Sequence, residues 1–381
     1  MKKVIYITGS RAEFGVMQRL LELMGRNGSF DVGLIVTGMH LSLAHGSTVE
    51  EVKKSGLRIV AEVDMHIEST NDGMARSLGQ GIIGITDVLR KEKPDLVMVA
   101  GDRGEALAGA IAASHLNIPV AHISGGDTTS GATIDERIRH AITKFADIHF
   151  PASESAAAFI KRMGENPELI FPVGNPGIVP RRSLKSEERR RIIETYGLAT
   201  DKKIALIIQH PVTSAPGEAA KQIEETLRAA VQSKVQSVLV YPNADSGSEE
   251  MIRVIESYRD NPLIHIFKNI PRDDFLNLMQ VADVMIGNSS AALIEAPTYS
   301  LPAVNIGDRQ AGRERANNII DVPHDRDAIT TAIQTALSPA FRQTLENDKN
   351  PYEREGADER IIAILQGLPI SSDLLKKKGR Q

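Results

Sequence analysis

The chain has 381 residues and a net charge of −4; it is 41% hydrophobic and 25% charged, and it contains no cysteine. That length exceeds one ordinary core, so two domains are expected. The charge excludes bulk electrostatic binding to nucleic acid, and the missing thiols exclude disulfides, thiolate zinc sites and cysteine nucleophiles.

In chain order, short apolar runs alternate with helical patterns. Residues 4–7 predict a strand and 12–26 a helix. Strands follow at 32–36, 96–100, 120–123 and 148–150, with helices near 47–55, 73–92, 103–115 and 134–145. The pattern restarts after residue 180: strands at 204–208, 238–240, 264–267, 284–286 and 303–305, helices near 186–196, 217–232, 248–260, 272–281 and 328–337. Such alternation means βαβ units and mostly parallel sheets, hence an α/β protein of two Rossmann-like domains. The Pro- and Gly-rich stretch 172–180 marks the break between them. Ligands of such sheets bind at the C-terminal strand ends, so a cleft between two facing domains is expected. The run at 4–7 behind Met1-Lys2-Lys3 is too short for a secretion signal, and no run has the length of a transmembrane helix. A cytoplasmic protein without membrane contact is expected. The basic tail 376–380 reads as solvated and frayed.

The chemistry-bearing residues cluster just past strands. Thr8-Gly9-Ser10-Arg11-Ala12-Glu13 replaces the dinucleotide fingerprint after the first strand, which argues against a nicotinamide enzyme. Asp102 follows the strand at 96–100, where it suits either a functional sheet edge or the N-cap of the next helix. Ser124-Gly125-Gly126-Asp127 places two glycines before a carboxylate, which permits close approach of a ligand. Thr133 and Glu136 have capping-box spacing, and Asp135 and Arg139 share a helix face at i and i+4. Several carboxylates in one place push each other's proton affinities apart and so provide an acid and a base. In the second half, His210 follows the strand at 204–208 and can bind phosphate or relay protons, or be held by the backbone. Gly287-Asn288-Ser289-Ser290 joins a strand to a short helical run, a corner that binds phosphate, and Arg309 and Arg313 can clamp a diphosphate. The alternative there is a Ser-capped helix followed by a solvated charged loop. His40, His45, His66, His115, His122, His149, His265 and His324 lack a metal-like spacing with carboxylates, so no metal site is expected.

These segments together resemble the hydrolysing UDP-N-acetylglucosamine 2-epimerases of sialic-acid-type sugar biosynthesis. The resemblance runs through Gly9–Gly15, Thr37-Gly38-Met39-His40-Leu41-Ser42, Gly101-Asp102-Arg103, Gly125-Gly126-Asp127 and Ile134–Ala141. It continues through Gln209-His210-Pro211-Val212-Thr213, Ile286–Ser290 and Arg309–Glu314. It implies a glycosyltransferase-B-like fold with an N-terminal domain over 1–175, a UDP-binding domain over 176–355, and a C-terminal segment about 356–381 packing back on the first domain. It implies conversion of UDP-N-acetylglucosamine and water to N-acetylmannosamine and UDP through a 2-acetamidoglucal, without a cofactor, in a homodimer. By resemblance Asp102, Asp127 and Asp135 are the acid/base carboxylates, with Arg139 and His210 beside them. Arg11, Glu13, His210, Asn288, Ser289, Ser290, Arg309 and Arg313 fall on the substrate side, and Glu295 on the ribose. Members of the sialic-acid branch carry Glu where Asp127 stands. A related branch acts on UDP-2,4-diacetamido-2,4,6-trideoxyglucose, and a further one returns the UDP-sugar without hydrolysis. A glycosyltransferase and a non-enzymatic nucleotide-sugar sensor are the other readings; the carboxylate cluster argues against a sensor for a diphosphate.

Overall fold

The structure is a computed structural model that describes residues 1–43, 47–65, 70–131, 133–371 and 373–376. His45, His66 and the basic tail beyond Lys376 lie outside these residues. The chain divides into two compact units: unit 1 contains 1–128, 134–177 and 352 onward, and unit 2 contains 129–133 and 178–351.

Unit 1 runs β1 (Lys2–Thr8), α1 (Arg11–Arg26), β2 (Phe30–Thr37), α2 (Val49–Lys54), β3 (Arg58–Val63), α3 (Asn71–Glu92), β4 (Leu96–Ala100), α4 (Gly104–His115), β5 (Val120–Ile123), α5 (Ile134–Phe145), β6 (Ile148–Phe150) and α6 (Glu154–Arg162). Its parallel sheet has the order β3-β2-β1-β4-β5-β6. Both faces are covered, which is why the central strands are continuous apolar runs. On one face lie Phe14, Met17, Leu20, Leu21 and Met24 of α1, spaced for one helical stripe and started by Ser10, whose side chain accepts from the Glu13 N–H. On the other face α4 offers mostly alanine and glycine; a Cβ on Gly109 would lie 2.6 Å from Ile7.

Unit 2 runs α7 (Ser186–Thr195), β7 (Ile204–Ile208), α8 (Ala219–Gln232), β8 (Gln236–Val240), α9 (Ser248–Glu256), β9 (Ile264–Phe267), α10 (Arg272–Val281), β10 (Val284–Gly287), α11 (Ala291–Ile294), β11 (Ala303–Ile306), β12 (Ile319–Val322), α12 (Arg326–Leu337) and α13 (Pro339–Gln343). Its parallel sheet has the order β12-β11-β10-β7-β8-β9. In each sheet the winding reverses beside the unit's first strand: between β1 and β4 in unit 1, and between β7 and β10 in unit 2. A doubly wound sheet opens its ligand crevice at that switch point, at the C-terminal strand ends.

Strands β3 and β12 and helix α6 were not expected from the sequence. The two strands are sheet edges with half-exposed residues, so neither shows the apolar run that marks the central strands. The helical stretch expected over 248–260 stops at Glu256, where the chain enters turns. Among the described residues no helix is long and apolar enough to cross a membrane.

The last helix, α14 (Ala357–Gly367), packs on α1: Ile361, Ile362 and Leu365 join the same core as Leu20 and Leu21. Lys2 Nζ donates to the carbonyls of Leu365 (2.6 Å), Gln366 (2.9 Å) and Leu368 (2.7 Å), a cation on the negative end of that helix. Arg19 Nη1 donates to Asp358 Oδ2 at 2.6 Å, while Asp358 Oδ1 is buried without a partner. Burial holds the Asp358 carboxyl up at about 6, although Arg19 pulls it down. A folded carboxyl that keeps its proton more tightly than the unfolded chain does favours folding at low pH. This contribution is complete below about pH 4 and is lost as pH rises through about 6. Asp358→Asn is therefore expected to flatten the fall of the thermal midpoint between pH 4 and 6 and to raise the midpoint at pH 7.5. Parallel curves for the variant and its parent would refute this.

Candidate active-site residues

In unit 1 the candidate carboxylates sit at the C-terminal ends of β4 and β5. After β4 the chain turns through Gly101, in the left-handed region at φ +71°, and reaches Asp102. The N-cap of α4 is Arg103, so Asp102 does not fill the capping position that its sequence context allowed. Its carboxylate accepts instead from Arg139 Nη2. After β5 the chain passes Ser124, Gly125 and Gly126; a Cβ on Gly126 would lie 2.5 Å from the Ala156 carbonyl, so no other residue fits there. The turn delivers the buried Asp127, whose backbone carbonyl accepts from Arg139 Nη1 at 3.0 Å.

Arg139, 2% exposed on α5, thus holds two loops in place. Its Nη1 also donates to Glu136 Oε2 at 2.6 Å, and Glu136 Oε1 pairs with His140 Nε2 at 2.7 Å. Burial alone would lower the proton affinity of this guanidinium. The carboxylate of Asp102, with those of Asp127 and Glu136, outweighs burial and raises it. Asp135 is buried one turn earlier on the same helix. Glu136, read from sequence as a capping-box partner, belongs to this cluster as well.

Arg11 is the first residue of α1. Glu13 folds back over that helix start: its Oε2 accepts from Thr8 Oγ1 (2.9 Å) and from the Gly9 N–H (3.2 Å). Burial, reinforced by nearby Glu105, pushes its carboxyl well above the ordinary range. Thr8 Oγ1 also bonds His40 Nε2 at 3.0 Å, and His40 Nδ1 bonds Thr48 Oγ1 at 2.8 Å. Glu13 therefore serves as an internal partner of the turn after β1, where a dinucleotide fold would place phosphate.

In unit 2 the candidates sit after β7 and β10. Gly287 has φ +130°, and a Cβ there would lie 2.0 Å from the Ile208 carbonyl, so adjacent strand ends approach too closely for any side chain. Asn288, expected on the substrate side, is completely buried. Its Oδ1 accepts from the His210 N–H (2.7 Å) and its Nδ2 donates to the His210 carbonyl (2.9 Å). The Asn288 carboxamide thus clamps the backbone of His210. The Asn243 N–H donates to His210 Nδ1 at 3.1 Å, which places the proton of the neutral ring on Nε2.

Ser289 Oγ accepts from the Ala291 N–H at 3.4 Å, and Ser290 is the N-cap of α11 but makes no side-chain capping bond. Because α11 is a single turn, its dipole is small, and charge for an anion comes mainly from arginines. The loop that supplies them is not solvated: Gln310 is buried and Arg313 is 7% exposed. Arg309 Nη1 (3.3 Å) and Gln310 Nε2 (3.0 Å) donate to the Asn288 carbonyl, and Arg313 Nη1 donates to Gln310 Oε1 at 2.9 Å. Ser130 N–H donates to the Ala311 carbonyl at 2.8 Å, which ties the segment 129–133 to the same loop. Glu295 is buried and pairs with Arg272 at 2.5 Å, an arginine that no spacing in the chain connects with it.

Two doubly wound parallel sheets with these strand orders are a glycosyltransferase-B-like pair of Rossmann-like domains. The solved UDP-GlcNAc 2-epimerase from Neisseria meningitidis, bound to UDP-GlcNAc, has this fold: TM-score 0.78 at 20% identity, covering 95% of this chain and 99% of that one. The sequence profile of UDP-N-acetylglucosamine 2-epimerase matches residues 22–366, and the chain belongs to that family. It is 38% identical over 379 residues to the UDP-N,N'-diacetylbacillosamine 2-epimerase (hydrolyzing) of Legionella pneumophila, covering 99% of both chains. It is 33% identical to the polysialic acid biosynthesis protein P7 of Escherichia coli, covering 100% of this chain and 96% of the relative.

Proposed function

We propose that the protein is a hydrolysing 2-epimerase that acts on a UDP-2-acetamido sugar and releases UDP and the C2-inverted free sugar. The observation that carries this reading is the buried Arg139, which fastens the part-buried Asp102 and the backbone of Asp127 together. The C2 proton is weakly acidic, so its removal needs a positioned base and concerted departure of UDP. A base takes the C2 proton, the C2–H electron pair becomes the C1–C2 double bond, and UDP leaves with the electron pair of the broken C1–O bond. Water then adds at C1 while a proton returns to C2 from the opposite face. Asp102, Asp127 and Asp135 form the acid/base set. His210, Ser289, Ser290, Arg309 and Arg313, with Arg11, meet the charge that develops on the diphosphate. Glu295, oriented by Arg272, accepts from the ribose hydroxyls. Asn288 acts through His210.

Two sugars fit the reading. The family supports UDP-N-acetylglucosamine, with N-acetylmannosamine as product. The 38% identity to the Legionella enzyme supports UDP-N,N'-diacetylbacillosamine. Incubation with each sugar in deuterated water tests the reaction and the choice together: deuterium at C2 of a free sugar is expected. An unlabelled C2, or recovery of UDP-sugar alone, would overturn the hydrolysing reading. For the diphosphate side, Arg313→Ala is expected to weaken UDP binding about 10- to 100-fold, the loss of one charge-assisted contact. Calorimetry showing unchanged UDP affinity would remove Arg313 from that role.

A further inference from the structure

His122 lies in the middle of the site's supporting layer, yet the reaction scheme gives it no role. It is 1% exposed in β5, beside the cross-strand His149. Its Nε2 is 2.8 Å from the carbonyl of Gly101, the residue immediately before Asp102. Its Nδ1 is 3.2 Å from Thr143 Oγ1, and Thr143 lies one turn after Arg139 on α5, with its hydroxyl 3.1 Å from the Arg139 carbonyl.

The hydrogen-bond directions follow from the atoms involved. A carbonyl only accepts, so His122 Nε2 must carry a proton and donate to Gly101. Burial lowers the proton affinity of the ring to about 3, with His149 and Arg139 adding to the effect and Asp102 opposing it, so the ring is neutral. Nδ1 is then an acceptor, and it shares the single hydroxyl proton of Thr143 with the Arg139 carbonyl. The ring also occupies the space beside the second loop. A Cβ on Gly125 would lie 2.5 Å from His122 Nδ1 and 3.0 Å from Thr143 Oγ1, which explains the first glycine before Asp127.

We propose that His122 is a positioning residue for the reaction, holding the Gly101 carbonyl so that Asp102 is presented at a fixed place and angle, with Thr143 seating the other ring nitrogen. This rests on the epimerase reading above. Arg139 grips the Asp102 side chain from one direction and His122 fixes its backbone from the other. A displacement of about 1 Å at a proton-transfer group costs about 100-fold in rate.

The test compares the parent with His122→Leu and His122→Gln, the latter placing an amide N–H near the Nε2 position. His122→Leu is expected to lose about 100-fold in kcat, with KM and UDP affinity within about twofold, and His122→Gln to recover at least about 10-fold of that loss. A folded His122→Leu with parental kcat, or a glutamine variant as slow as the leucine one, would overturn the positioning role. If the leucine variant does not fold, Thr143→Val serves: it keeps the volume, removes the hydroxyl and should lower kcat several-fold at constant KM. Unchanged kcat in Thr143→Val would then overturn the proposal. A parent inactive on both sugars would overturn the epimerase reading itself, whereas an active parent with an unaffected His122→Leu would overturn only this inference.

Discussion

Arg139→Met is expected to destabilise unit 1 by roughly 3–5 kcal/mol and to lower its unfolding midpoint by about 10 °C. The guanidinium is buried and bonds the carboxylates of Asp102 and Glu136 and the carbonyl of Asp127. Its removal takes the donor from two part-buried carboxylates and one buried carbonyl. The cost comes chiefly from those orphaned partners and only partly from the lost attraction. Arg139→Lys keeps the charge but supplies a point donor where a fork is needed, so it should fall between the two. Thermal unfolding followed by circular dichroism measures this. A methionine variant that melts within about 2 °C of its parent would show that the cluster does not depend on Arg139.

Asp102→Asn is expected to leave folding and UDP affinity near parental values while turnover falls about 10³- to 10⁴-fold, at the upper end of the range for one acid/base group. The amide oxygen of asparagine can still accept from Arg139 Nη2, so the architecture survives, but the residue can no longer take up or release a proton. In the proposed reading UDP is held by groups of unit 2 together with Arg11 of unit 1, whose side chains this substitution leaves in place. Turnover assayed beside UDP calorimetry separates the outcomes. Parallel loss of turnover and UDP binding would indicate a structural role for Asp102, and retained turnover would remove it from the acid/base set.

The central strands were legible from sequence because a strand covered on both faces has no polar positions to interrupt it: Leu96–Ala100 and Ile204–Ile208 carry the expected bounds. The edges were not legible. Residues of β3 and β12 are partly exposed, and their mixed character resembles that of loops. For site residues, position past a strand end was readable, but the side chain's partner was not. Asp102 matched a capping pattern because local spacing is all that a capping rule reads, whereas its partner Arg139 is 37 residues away. Glu136 matched another capping pattern, yet it bonds Arg139 and His140. Asn288 stands out in sequence as part of a phosphate-type corner, but its side chain's partner, the backbone of His210, is 78 residues away. The spacing of Arg272 and Glu295 carried no local signal at all; only the fold makes them a pair.

The interrupted make-up of unit 1 has a consequence for biosynthesis. Unit 2 is almost one continuous stretch, 178–351, and its strands can pair as soon as they leave the ribosome. Unit 1 is translated first, but the core that α1 forms with the sheet is completed only when Ile361, Ile362 and Leu365 of α14 arrive. During synthesis of some 170 intervening residues, at about 5–20 residues per second, that core stays incomplete for about ten seconds or more. The nascent N-terminal half is thus the part of this protein most in need of a chaperone, and Lys2, on three carbonyls at the end of α14, is among the last groups to be locked.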